Sequence, residues 1–141
     1  MMETIIVEAT EDALDEVTDF WQEKLEALAV DPNTLFQIEL SVEEVFVNIV
    51  SYAYEDAEES SLFGKVQVGC AVDEDTKELI LQFTDAGKPF DPLEAKDADL
   101  SGKMFMERAG GFGIHMVKET MDEVTYARGD GVNILTLKKR L

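Results

Sequence analysis

The stretch from Asp31-Pro32 to about Tyr54 limits the possible folds more than any other part of the chain. Proline suits the first turn of a helix, where its missing N–H would have had no partner, and an aspartate before it can accept the orphan backbone donors. Leu35, Ile38, Val42, Val45, Phe46, Ile49 and Ala53 then recur along one side, while Leu40, Val47 and Tyr54 fall near the other. A helix this apolar around its circumference must be largely buried, so the remaining elements have to cover it. Residues 4 to 9 (Thr-Ile-Ile-Val-Glu-Ala) suit a first strand, and Leu14, Val17, Trp21, Leu25 and Leu28 follow at helical spacing. Lys65 to Val72 and Glu78 to Thr84 flank the polar turn Asp73-Glu74-Asp75-Thr76 as a hairpin. A third helix starts near Phe112 and uses Ile114, Val117 and Met121. Val124 to Ala127 and Val132 to Leu137 close the chain as a hairpin around Gly129-Asp130-Gly131. This order predicts an α+β, two-layer sandwich: a mixed, mostly antiparallel sheet with helices on one face.

The 141 residues are expected to form one domain over 1–141, long enough to bury about two-thirds of the unfolded surface. Their 31 acidic and 12 basic side chains leave a net charge of −19, which argues against direct binding to nucleic acid, since phosphate backbones are held by clustered Lys and Arg. Cys70 is the single cysteine and nothing resembles a signal peptide, so the cytoplasm is the expected compartment. No apolar run approaches the roughly 20 residues that span a bilayer, and no membrane association is expected. Residues 85 to 111 carry two of the three prolines and little periodicity, and are read as a functional lid over about 88–111.

Three motifs could carry chemistry. Ser41, Glu44, Asn48 and Ser51 fall within roughly an 80° arc of the long helix. Buried carboxylates and amides need partners, and a magnesium ion, which takes one or two protein oxygens plus phosphates and water, would supply one. A solvated helix face is the plain alternative. Asp85-Ala86-Gly87-Lys88-Pro89-Phe90-Asp91-Pro92 follows a strand directly. Its carboxylate could accept the amine of a planar ligand such as adenine, although Asp-x-Gly is also a common turn. Gly110-Gly111-Phe112-Gly113 opens the last helix, where exposed N–H groups suit phosphate, with Lys103 and Arg108 as nearby cations.

Taken in order, Glu44-x-x-x-Asn48, Asp85-x-Gly87-x-Pro-Phe-Asp-Pro, Gly110-Gly111-x-Gly113, Met121-Asp122-Glu123 and Gly131-x-Asn-x-Leu-Thr136 resemble the GHKL (Bergerat-fold) ATPase superfamily. Within it, the pattern is most similar to the anti-sigma-factor serine kinases of bacterial partner-switching systems. The resemblance runs over residues 5 to 140. It implies ATP and Mg²⁺ as cofactors, Asn48 as the magnesium ligand and Glu44 as general base. It also implies Asp85 on the adenine amine, Gly87 leaving room for the ring, and Arg108 directed at the γ-phosphate. Lys103, Gly111 and Gly113 would hold the triphosphate, and Thr136 would lie near adenine. Tyr52 departs from the histidine common at its position. The implied reaction is phosphoryl transfer to a serine of an anti-sigma-factor antagonist, with a sigma factor as the other partner and a homodimer, through the sheet edge or first helix, as the assembly. An ATP-dependent binding module without transfer and a GHKL-type ATPase are the competing functions. His115 is expected to make a local helix contact and Cys70 to act as a small buried apolar group. Met104-Phe105-Met106 would pack within the lid, fold over the nucleotide or meet a partner.

Overall fold

A computed structural model of the chain describes residues 2–54, 60–89 and 113–141. β1 (Glu3–Glu8) leads through a single 3₁₀ turn (Glu11–Ala13) into α1 (Leu14–Leu25) and then α2 (Pro32–Tyr52). β2 (Lys65–Asp73), β3 (Glu78–Asp85), α3 (Gly113–Thr120), β4 (Glu123–Gly129) and β5 (Val132–Arg140) follow. The five strands lie in the order β1-β2-β3-β5-β4, and every neighbouring pair is antiparallel. The expected α+β architecture is found, and no parallel pair occurs among the described strands.

Period-two alternation decides which face the helices cover. Val66, Val68 and Cys70 on β2, Leu79, Leu81 and Phe83 on β3, and Leu135 and Leu137 on β5 are buried on one side. Val17, Trp21 and Leu25 of α1, Ile38, Val42, Val45, Phe46 and Ile49 of α2, and Val117 of α3 close over them. Burial pushes the Cys70 thiol up to about 11. Asp31 caps α2 as its sequence suggests, its carboxylate accepting from the N–H groups of Asn33 (3.1 Å) and Thr34 (3.3 Å). The β4–β5 loop is Asp130-Gly131, with φ of 52° and 80°, the two positive values that a two-residue type I′ turn requires. The β2–β3 loop runs one residue beyond the expected turn, to Lys77, which has a φ of 57°. Asp73 Oδ1 shapes this loop by accepting from Asp75 and Thr76.

The C-terminal end of α2 is fastened to the segment after β3. The Ala53 carbonyl accepts the Lys88 N–H at 2.9 Å. The Tyr54 hydroxyl accepts the Ala86 N–H at 3.0 Å and lies against the Leu62 and Lys65 carbonyls, which share its single proton. Gly87 makes this approach possible: a Cβ there would lie 2.2 Å from the Ala53 carbonyl oxygen. Backbone on both sides of that contact cannot yield as a side-chain tip could. Gly87→Ala is therefore expected to lower unfolding free energy by about 1–3 kcal/mol in urea titrations. A stability equal to that of the unaltered chain would show that α2 and the β3 end are not held so closely.

Candidate functional site

Asp85 continues the buried row of Leu79, Leu81 and Phe83, so β3 delivers a carboxylate to a core-facing position, where it is 5% exposed. Charge in such a place needs hydrogen bonds. Asp85 Oδ1 accepts from the Gly87 N–H at 2.9 Å and from Asn133 Nδ2 at 3.0 Å. Asn133 is the direct cross-strand partner of Asp85 and begins the corresponding buried row of β5, ahead of Leu135 and Leu137. Its amide also donates to the Lys88 carbonyl at 2.9 Å, while the Tyr126 hydroxyl donates to its oxygen at 2.5 Å. Arg128 reaches over from β4 and donates to the Gly87 carbonyl at 2.7 Å. Desolvation holds the Asp85 carboxyl above its ordinary range. The bonds from Asn133 and Gly87 and the charge of Arg128 pull in the opposite direction.

Asp85 and Asn48 line the same cleft, together with Tyr52, Lys88, Tyr126 and Asn133; Val45, Ile49, Ala53, Ile114 and Leu135 supply its apolar walls. Apolar walls with a few convergent polar groups are the usual chemistry of small-molecule sites. Glu44, one helical turn before Asn48, is half-buried but not part of the described lining. Burial raises its pKa above the ordinary carboxylate value, with the neighbouring Glu43 adding repulsion. Among the described residues, no three His, Cys, Asp or Glu side chains gather into a metal cage. The oxygens of Asn48 and Glu44 are hard donors of the kind magnesium accepts alongside phosphate and water.

The polar stripe of α2 divides between environments. Ser41 is fully buried in the core, Glu44 and Asn48 are half-buried, and Ser51 is exposed. The room left by Gly87 is taken on one side by Ala53. Thr136 does not reach the cleft: it pairs in register with Gln82, whose side-chain amide donates to its hydroxyl at 3.3 Å, on the sheet face opposite Asp85. Gly113 begins α3. Most of the expected lid, with Lys103, Arg108, Gly111 and the Met104-Phe105-Met106 triplet, lies outside the described residues. His115 Nε2 stands 3.8 Å from Glu119 one turn on. Tyr126 and Arg128 escape the sequence reading, and Lys88 and Asn133 stand in its motifs without a role of their own. The signal for Asn133 was present in β5, where Asn133, Leu135 and Leu137 form one of two alternating rows.

The family model described as a histidine kinase-like ATPase domain matches residues 7–139. The serine/threonine-protein kinase BtrW of Bordetella bronchiseptica is 28% identical over 102 residues, which cover 72% of this chain and 68% of that relative. The serine-protein kinase RsbW of Oceanobacillus iheyensis is 30% identical over 107 residues, covering 72% and 63%. The chain thus spans about two-thirds of the length of the curated relatives it matches. Among solved structures, the RsbU and RsbW domains of a Mycobacterium tuberculosis protein superpose with a TM-score of 0.68 at 19% identity, over 100% of this chain and 32% of that one. The SiaB–SiaC complex of Pseudomonas aeruginosa gives 0.58 at 15% identity, over 97% and 88%. Those two likenesses concern the fold. With a family match running from β1 into β5, the chain belongs to the histidine kinase-like ATPase domain family.

Proposed function

We propose that this protein is an anti-sigma factor and serine-protein kinase that binds Mg-ATP and phosphorylates a serine of an anti-sigma-factor antagonist. The observation that carries the reading is Asp85, a carboxylate kept in a core-facing row and opening onto the same cleft as Asn48. A buried acceptor of this kind suits the exocyclic amine of adenine, and the apolar walls suit the ring. Asn48 is the proposed magnesium ligand, with Glu44 one turn away. When bound, magnesium would supply charge neutralisation at the triphosphate. Glu44 accepts the serine proton as the serine oxygen bonds to the γ-phosphorus and the bond from that phosphorus to the bridging oxygen of ADP breaks. Gly113 at the start of α3, with Gly111, Lys103 and Arg108 before it in sequence, would meet the phosphates.

The kinase names of two relatives support the reaction class. A sigma factor as second partner, a homodimer and a cytoplasmic setting belong to the same proposal, and the charge of −19 suits a basic surface on a partner. No helix among the described residues is long and apolar enough to cross a membrane. The competing reading is nucleotide binding that switches protein partners without transfer.

Glu44→Gln separates the two. Under the kinase reading, calorimetry with Mg-ATP returns an unchanged affinity while labelled-phosphate transfer to the antagonist falls by about 10²–10⁴. Equal loss of both would remove Glu44 as the base. Transfer needs ionised Glu44, so its raised pKa places the acid-side fall in rate at a higher pH than for a free glutamate near ~4.3.

Asp85→Asn tests the base-binding end. Its folded pKa is raised, so the stability linked to this group is fully present below its unfolded pKa and is lost as pH rises through the folded value. At neutral pH the isosteric amide should melt no lower than the carboxylate, yet bind ATP about tenfold or more weakly. Retained ATP affinity would contradict the assignment.

A further inference from the structure

β4 is an edge strand with mostly exposed side chains, yet Tyr126 is half-buried and lines the cleft. Its contact with Asn133 has a definite sense. Asp85 Oδ1 at 3.0 Å and the Lys88 carbonyl at 2.9 Å are both acceptors, so the Asn133 NH₂ must face them and its oxygen must face Tyr126. The 2.5 Å bond from the Tyr126 hydroxyl then holds the amide against rotation. A fixed amide, together with the Gly87 N–H, holds one oxygen of Asp85 between two donors and gives the carboxylate a single orientation at the cleft wall. Two residues further along β4, Arg128 grips the Gly87 carbonyl at 2.7 Å, so the same strand also steadies the turn beyond Asp85.

We propose that Tyr126 is a positioning residue that sets the base selectivity of the cleft. Acting through Asn133, it presents Asp85 to a purine carrying an amine at the place where adenine has one, and against a purine carrying a carbonyl oxygen there. A carboxylate accepts from the first and repels the second. The proposal rests on the reading of Asp85 as the base-binding carboxylate.

Calorimetric titration of the full chain with ATP and with inosine triphosphate, both with magnesium, tests it. The unaltered chain is expected to prefer ATP by about tenfold or more. Tyr126→Phe should weaken ATP by about threefold or more and leave inosine triphosphate unchanged, because that nucleotide does not use the bond being loosened. General damage to the cleft would weaken both. In an Asn133→Ser background, Tyr126→Phe should have no further effect, since the two residues act in series. Equal weakening of both nucleotides, undiminished ATP affinity in Tyr126→Phe, or additive losses in the double variant would overturn the role of Tyr126. An unaltered chain that binds the two nucleotides equally would overturn the Asp85 reading beneath it, and one that binds neither would overturn nucleotide binding itself.

Discussion

The arrangement depends on a charge placed where the strand pattern calls for a hydrocarbon. After Leu79, Leu81 and Phe83, the next residue on the covered face of β3 is Asp85. Taking an unpaired carboxylate out of water costs several kcal/mol, so the surroundings must offer donors already in place. Two donors reach it, the backbone N–H of Gly87 in the following turn and the amide of Asn133 across the ladder, and the positive charge of Arg128, which hydrogen-bonds the Gly87 carbonyl, adds a longer-range attraction. Each donor is itself held by something else. The outcome is an acceptor that packing alone would not tolerate and that a hydrogen-bonding ligand would satisfy further.

α2 links this acceptor to the rest of the cleft. Its buried side anchors the sheet, its middle carries Glu44 and Asn48, and its end meets the turn beyond β3 through Ala53 and Tyr54. The two ends of the cleft therefore share one rigid rod. The missing side chain of Gly87 lets the end of α2 and the turn beyond β3 meet, because any larger residue would separate Ala53 from that turn. In the proposed function the ligand is long and needs two grips at a fixed distance, which one helix spanning both would set.

Much of the fold is legible in the amino-acid sequence. The Asp31-Pro32 start, the apolar rows and the polar turns specify the helices and strands because capping, alternation and turn chemistry are local. The ordered motifs mark Glu44, Asn48 and Asp85, and of these Asn48 and Asp85 line the cleft. Thr136 and Asn133 mark where local reading fails. Both lie in a strand where either alternating row could face the core, and only the register against β3 sends Asn133 to Asp85 and Thr136 to Gln82. Tyr126 and Arg128 were hidden for a related reason: an edge strand with a weak apolar pattern says little about which face its residues take. Gly87 belongs to a visible motif, but the backbone that fills its empty side lies more than thirty residues earlier in the chain.

The buried thiol of Cys70 has a practical side. With its pKa pushed up to about 11 and its sulfur enclosed between the sheet and the helices, it holds almost none of the thiolate that alkylating reagents attack at neutral pH. A cysteine introduced at an exposed position would then be the one that reacts, and a fluorophore or spin label placed there would report on that position without first removing the native sulfur.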